Sequence, residues 1–470
     1  MQEQSQATAN HPQEWFKRIL NSQYALAGFS GCVVLTSWYL WLHWSRAPIA
    51  ALGLVGAIAG GFLFAYPVLG ASLAAFLMLS NLTEFVPGSV SPLLAVTLLV
   101  VVIKKIMAGD TSWVVTKFVK WGMMFLLIHM LSILWAGSYR FLDWSAFYRV
   151  ALIALLMSEV VKTPKDFIIV ILGAQAGAIL TGILTVHSAA EFYLTGAADA
   201  ISGSVAKIES SRFFGIWFEP NTMALSQVPV VGLSLVLMRT RIGFWLRLIS
   251  MAALGAGLVT IMLSLSRGAM LCTIAMLFAI VITDRYKYQI ISAVTVLALI
   301  VIAILPIDIV GRMASLTSPK ADNSIGERSQ LIIGGIKMIE DSFPLGVGPG
   351  NYRLYSMDYA NRLEHGMISH NGYIDVFSEA GLFGFACFSL ALVSLFRSVR
   401  WRGRRLKSDT LFENLNVGFS SILIAMTLGT VFLSASEYPI FWMFYTLIAL
   451  FPILFDTSKP DTRAQLLIYS

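Results

Sequence analysis

The chain has 470 residues, of which 57% are hydrophobic and only 13% are charged, and its mean hydropathy is +0.75. An ordinary globular domain carries about 25% charged residues. A soluble protein of this size could not bury so much apolar surface, and a disordered chain would contain far less of it. The composition therefore indicates a polytopic membrane protein. In that class a net charge of +7 reflects basic cytoplasmic loops and predicts no nucleic-acid partner.

About 14 apolar segments approach the ~20 residues that a helix needs to cross a bilayer. They predict an all-α polytopic integral membrane protein with about 12–14 transmembrane helices. The lower number applies if 48–66 and 67–86, which have almost no linker, form one broken helix or a re-entrant pair. No cleavable signal peptide is predicted. The predicted spans are 24–43, 48–66, 67–86, 88–106, 119–136, 142–161, 166–186, 220–238, 244–264, 267–283, 287–305, 372–396, 414–434 and 438–456.

The distribution of Lys and Arg predicts the orientation of these spans, because cytoplasmic loops collect basic residues. With the N-terminus inside, the inside segments hold 21 of the 33 basic residues and the short outside loops hold five. The long outer loop, to which the rule applies weakly, holds six. We therefore expect a multi-pass membrane protein with both termini in the cytoplasm.

The predicted organisation has four parts. A cytoplasmic segment (1–23) precedes the N-terminal transmembrane helices (24–205), a core (206–396), and a final part with a basic loop, the last helices and the tail (397–470). The core contains a long outer loop at 306–371, helical at 325–340, which is expected to form a small helical cap over the membrane. Its glycine-rich stretch at 346–351 predicts a plain turn, because no strand precedes it and no Lys-Ser/Thr follows it.

Under this topology several basic residues meet at the outer membrane boundary. Arg212 precedes a span, Arg267 lies in a tight turn between two spans, Arg328 lies in the long loop and His370 ends that loop. One guanidinium group can donate two parallel hydrogen bonds to a phosphate, and it stays charged at any relevant pH. An imidazole beside them can accept a proton, and nearby cations lower its pKa. These residues predict a site in which a hydroxyl group displaces a lipid diphosphate.

Two further charged residues lie inside predicted spans. Arg149 is about two turns from the outer end of its span, and Glu379 is about two turns beyond His370, on one helical face with Asp375. Charges at membrane depth are costly and usually face a cavity or a partner. Two alternatives stay open: a single interfacial Arg is commonly a lipid-headgroup anchor, and Glu379 equally suits an ion pair that steadies a helix contact. His129 is interpreted as an interfacial or core residue without a role.

The order and spacing of these residues resemble the O-antigen ligase and polymerase family of bacterial surface-polysaccharide enzymes. The resemblance covers about 205–390, whereas residues 1–200 contribute only generic spans. Each motif alone is short, and their order together with the long outer loop carries the resemblance. The motifs are Arg212-Phe213-Phe214-Gly215 with Phe218, Pro220 and Asn221; Ser266-Arg267-Gly268-Ala269; Arg328 ahead of Pro344-Leu345-Gly346-Val347-Gly348-Pro349-Gly350; and His370-Asn371-Gly372-Tyr373 with Glu379-Ala380-Gly381-Leu382-Phe383-Gly384.

The resemblance implies a C-type membrane glycosyltransferase of the bacterial inner (plasma) membrane, which inverts the anomeric carbon on the periplasmic face. Its donor would be a glycan on undecaprenyl diphosphate, and its acceptor either a lipid-linked glycan (polymerase) or lipid A-core (ligase). Membrane lipids, a chain-length regulator and a flippase would be further partners. The resemblance implies neither metal nor cofactor, in keeping with the lack of an Asp-x-Asp cluster in the outer segments.

Residue by residue, the resemblance implies that Arg212, Arg267 and Arg328 grip the diphosphate and that His370 activates the acceptor hydroxyl. His370 and Arg267 are thus the predicted catalytic residues. The predicted substrate-binding residues are Arg212, Arg328, Arg149, Glu379, Asn371 and Tyr373.

Two other classes of protein would share the hydrophobic composition. A lipid-linked oligosaccharide flippase, or another polysaccharide transporter, predicts two related halves and binding residues near the bilayer midplane. The sequence shows no internal symmetry, and its notable residues crowd the outer boundary. A scaffolding membrane protein would not need Arg149 or Glu379 within spans. If the outer residues line one cleft, the enzyme is favoured over both alternatives.

Overall fold

The computed structural model describes residues 61–82, 90–136, 144–195, 219–239, 243–283, 323–360, 366–399, 411–434 and 438–455, together with 288, 292 and 295. The structure is 85% helical and the described residues contain no strand, which confirms the all-α polytopic fold. The predicted span 24–43, and most of the predicted spans 48–66 and 287–305, lie outside the described residues.

The described helices follow the hydrophobic pattern of the sequence closely. Each predicted span from 67–86 to 267–283, and each from 372–396 onward, coincides with an apolar helix. In chain order the helices are α1 Pro67–Ser80, α2 Val90–Met107, α3 Lys117–Leu131, α4 Trp144–Val160, α5 Pro164–Thr195, α6 Pro220–Arg239, α7 Phe244–Leu263, α8 Arg267–Thr283, α9 Asn323–Ser342, α10 Asn351–Tyr359, α11 Gly372–Ser398, α12 Leu411–Gly429 and α13 Pro439–Leu454.

Six of the described helices are long and apolar enough to cross a membrane: α2, α3 with the turn that follows it, α5, α6, α7 and α11. Helices α1, α8 and α13 are shorter but also apolar. By length and composition this is a polytopic membrane protein. Helices α9 and α10 belong to the long outer loop, and α9 covers the helical stretch predicted at 325–340.

Helix α6 lies at the centre of the described bundle and packs against α7, α8 and α12. Close helix approach depends on small residues, as is usual in membranes. A Cβ on Gly429, at the end of α12, would lie 2.9 Å from the Leu225 side chain near the start of α6. The start of α6 therefore lies beside the end of α12, where the candidate site is built.

Helix α11 differs from the single span predicted at 372–396, because it bends sharply at Gly381. Gly381 has φ 67°, outside the helical region. The rings of Tyr373 and Phe388 lie 6.2 Å apart, whereas a straight helix would separate residues 15 positions apart by about 22 Å. The first limb of α11 (372–380) therefore folds back along the second limb (382–398). The sequence predicted a span at 372–396, and the structure shows that this segment is bent at Gly381.

The glycine-rich turn that follows α9 is docked on this bend by main-chain hydrogen bonds. Val347 N–H donates to Ser378 O at 2.8 Å and Leu382 N–H donates to Pro344 O at 2.8 Å. The approach is so close that a Cβ on Gly346, which has φ 79°, would lie 2.6 Å from Gly381 N. The turn thus joins the outer loop to α11.

Candidate functional site

His370 occupies a constrained backbone position immediately before α11. Its φ of 53° lies in the left-handed region, which costs a non-glycine residue of order 1–3 kcal/mol and persists only where neighbours enforce it. Ser369 Oγ donates to Asn371 O at 2.8 Å and accepts from Asn371 N–H at 2.8 Å. Asp375, one turn into α11, accepts from Ser369 N–H at 3.3 Å. These contacts hold both neighbours of His370.

The far side of the His370 loop is fixed to the turn after α12. Gly372 N–H donates to Thr430 O at 2.7 Å and to Leu433 O at 3.2 Å. The same turn contacts the start of α8, where a Cβ on Gly268 would lie 2.9 Å from the Phe432 side chain. Arg267 is the residue next to Gly268, so the structure places Arg267 and His370 around one turn.

Charged groups from two other elements act on His370. Burial lowers the pKa of His370 below its ordinary value of 6.5, the Arg328 guanidinium on α9 lowers it further, and the Glu219 carboxylate raises it. Among the described residues, no group hydrogen-bonds the buried Nδ1 of His370. The net direction favours the neutral imidazole, which can accept a proton at neutral pH.

Glu219 is the residue at this site that the sequence analysis missed. It stands immediately before α6, where its carboxylate accepts from Asn221 Nδ2 at 2.9 Å and from the Thr222 hydroxyl. Thr222 also lies 3.5 Å from the hydroxyl of Tyr438, which precedes α13. Glu219 stands between Phe218 and Pro220 of the first motif, at a position that the motif leaves open. Nothing in the sequence indicated that its carboxylate would act on His370.

The predicted arginines divide into those near His370 and those placed elsewhere. Arg328 is partly buried on α9 and acts on His370 directly. Arg267 is partly buried at the first position of α8. Arg149 is partly buried in α4, two positions after Phe147, whose ring lies 4.9 Å from that of His129. Arg212 lies outside the described residues.

Glu379, predicted to bind substrate, makes its described contacts within the protein. Its buried carboxylate accepts from Tyr352 N–H of α10 at 3.0 Å and lies 3.3 Å from Nε2 of the buried His129 on α3. The Tyr352 hydroxyl donates to Leu331 O of α9 at 2.6 Å. Glu379 therefore joins α3, α10 and α11, and through Tyr352 it reaches the helix that carries Arg328.

Asn371 and Tyr373 also use their polar atoms to shape the site. Asn371 Oδ1 accepts from the N–H groups of Tyr373 at 3.1 Å and Ile374 at 3.3 Å, and so caps the first limb of α11. The Tyr373 hydroxyl donates to Thr427 O of α12 at 2.9 Å. Both side chains orient the His370 loop against its neighbours.

The site therefore combines an imidazole whose lowered pKa favours the neutral form with arginines from two helices, α8 and α9. Among the described residues, no group of three or more His, Cys, Asp or Glu side chains is arranged to hold a metal ion. Such an arrangement can take a proton from a hydroxyl group and stabilise negative charge that develops nearby.

Residues 251–389 match the model of a protein family described as O-antigen ligase. The matched segment contains Arg267, Arg328, His370 and Glu379, and it excludes Arg149 and Arg212. No curated protein matches the chain.

Proposed function

We propose that this chain, whose residues 251–389 match the O-antigen ligase family model, is a member of the O-antigen ligase and polymerase family and an inverting glycosyltransferase of the periplasmic membrane face. Its donor is a glycan on undecaprenyl diphosphate and its acceptor is a hydroxyl group, on lipid A-core or on a lipid-linked glycan. The observation that carries the proposal is His370, held in a left-handed conformation and subject to the charges of Arg328 and Glu219.

In the proposed reaction, the acceptor hydroxyl oxygen attacks the anomeric carbon of the donor sugar. A new C–O bond forms as the bond to the diphosphate oxygen breaks, and undecaprenyl diphosphate leaves. His370 accepts the hydroxyl proton, and Arg267 and Arg328 stabilise the charge that builds on the leaving oxygen. Preorganised charges of this kind are commonly the largest single contribution to catalysis.

The distribution of basic residues supports the periplasmic assignment. Lys and Arg concentrate in the segments that are inside when the N-terminus is cytoplasmic. With that orientation the start of α6, the start of α8 and the end of α12 all lie at the outer ends of their helices, and the His370 loop contacts the turn after α12. Arg212, which precedes α6 in the sequence, is proposed to complete the diphosphate-binding set.

We assign Glu379, Asn371 and Tyr373 to the support of the site and not to substrate contact. Glu379 accepts from α10, while Asn371 and Tyr373 bond the main chain of α11 and α12. Arg149 remains a proposed substrate-binding residue, because a partly buried arginine within an apolar helix suits an anionic ligand.

The decisive experiment is a transfer assay with purified protein in proteoliposomes. The donor is an undecaprenyl-diphosphate-linked glycan, and two acceptors are offered in parallel: lipid A-core and a second lipid-linked repeat. Covalent product with the first identifies a ligase, and product with the second identifies a polymerase. Movement of the donor across the bilayer without any covalent product would instead identify a transporter and contradict the proposal.

A further inference from the structure

The turn between α9 and α10 exposes apolar side chains although it belongs to the outer loop. Phe343 is 59% exposed and Leu345 is 47% exposed. Exposed apolar residues that cluster in one patch mark a contact surface for protein or membrane. The residues on the adjoining bend of α11 are also apolar and exposed, with Phe383 at 58%. We call residues 343–345 the apolar turn.

Hydrogen bonds to two membrane helices fix the depth of the apolar turn relative to the bilayer. Trp135, the last residue of the candidate span that begins with α3, donates its indole N–H to Gly346 O at 3.1 Å. Pro344 O accepts from Leu382 N–H, at the start of the second limb of α11. Trp residues at span ends typically lie at the membrane interface, so the apolar turn lies at that level.

The apolar turn lies at the end of two stripes of exposed apolar residues, one on α3 and one on the second limb of α11. On α3 and the turn that follows it, the exposed residues recur at helical spacing and end at Leu134, which is 79% exposed. The second limb of α11 carries a similar stripe below Phe383. A stripe of this kind on a membrane-spanning helix faces lipid. The stripes are Met124, Leu127, Leu131 and Leu134 on one side, and Phe383, Leu390, Val393 and Phe396 on the other.

From this continuity we propose that the apolar turn is inserted in the outer leaflet of the bilayer, where lipid acyl chains cover Phe343 and Leu345. The outer loop is then held by two kinds of contact. Main-chain hydrogen bonds attach it to α11, and the apolar turn anchors it in lipid. The polar face of α9, with Lys337 and Glu340 exposed, remains in water. The inference depends on the membrane fold and not on the proposed reaction.

The test measures lipid and water contact at single labelled positions. Phe343→Cys and Leu345→Cys are made in a Cys32→Ala background, since Cys272 and Cys387 are buried, and the background protein reports residual labelling. Each variant is labelled with bimane and reconstituted in phosphatidylethanolamine–phosphatidylglycerol vesicles. Leu134→Cys serves as the lipid reference and Glu340→Cys as the water reference. Quenching by doxyl-labelled lipid and by aqueous iodide is then compared.

We expect doxyl lipid to reduce fluorescence at 343 and 345 as strongly as at 134, with iodide effective only at 340. Iodide quenching at 343 and 345 equal to that at 340 would place the apolar turn in water and overturn the proposal. Protection from both quenchers would show that a protein surface covers the apolar turn, which also overturns it. The readout does not need enzymatic activity, so it is independent of any failure of the transfer assay.

Discussion

Two histidine–glutamate neighbourhoods flank the first limb of α11, and they differ in what surrounds the imidazole. At one end, His129 and Glu379 are both buried, and the carboxylate also accepts a main-chain N–H from α10. At the other end, His370 is acted on by Glu219 and by the cationic Arg328 of α9. The first neighbourhood joins helices, whereas the second contains the imidazole that we propose as the general base.

The largest effect should come from removing the imidazole of the second neighbourhood. His370→Ala is expected to lower the transfer rate by about 10²–10⁴-fold, the usual range for loss of a general base. The assay is product formation from a lipid-linked donor, with insertion of the variant verified in membranes. His187→Ala, at an exposed histidine of α5, is the matched control and should retain the parent rate. Normal product from His370→Ala refutes the assignment.

The next effect concerns the cation at the start of α8. Arg267→Ala should reduce the rate by about 10²–10³-fold, as loss of one preorganised charge-stabilising group does. Arg267→Lys should fail as well, because an ammonium cannot form the paired hydrogen bonds of a guanidinium. Arg247→Ala, at an exposed arginine of α7, is the control. Full activity of Arg267→Lys would point to simple charge steering.

The first neighbourhood should respond in stability as well as in rate. Glu379→Ala leaves the buried Tyr352 N–H without its acceptor, which costs about 1–3 kcal/mol, and loosens α10 and the helix that carries Arg328. Glu379→Gln retains an acceptor oxygen and should recover most of the stability and activity. Thermal unfolding and transfer rate are measured on both variants. If Glu379→Gln unfolds like the parent but is as inactive as His370→Ala, Glu379 contacts substrate after all.

The hydrophobic pattern was sufficient to predict most of the described fold, but not the bend of α11. A run of apolar residues records that a segment is buried in lipid or protein, and the predicted boundaries at α6, α7 and α8 agree with the helices within a few residues. The bend at Gly381 depends on the glycine-rich turn docking against it, more than 30 positions earlier in the chain at Gly346. Such a contact leaves no periodic signal.

The candidate site shows the same limit. His370 and Arg267 could be predicted from their motifs, and the structure places both around the turn after α12. The contribution of Glu219 could not be predicted from the sequence, because α6 comes to lie beside the His370 loop only through packing between distant helices. His129 was assigned no role for the same reason: its neighbour Glu379 lies 250 positions later in the chain.

The effect of Arg328 on the pKa of His370 can be tested by removing the charge of Arg328. Arg328→Gln removes the positive charge that lowers the pKa of His370, so this pKa should rise. Since the neutral imidazole is the proposed active form, the acid limb of the rate–pH profile should move to higher pH, and the variant should lose most activity in mildly acidic buffer. An unchanged acid limb would mean that Arg328 does not act on the catalytic base.

The smallest effect, and the one that separates the two neighbourhoods most sharply, is Glu219→Gln. The Glu219 carboxylate raises the pKa of His370, so its neutralisation should lower this pKa and move the acid limb to lower pH, opposite to the shift for Arg328→Gln. Gln retains an oxygen that can accept from Asn221 and Thr222, so the start of α6 should keep its shape. Glu379→Gln serves as the control, because its carboxylate belongs to the first neighbourhood and its loss should leave the acid limb in place. Equal shifts for both variants would show that the two carboxylates act on one imidazole, and the distinction between a structural and a catalytic neighbourhood would fail.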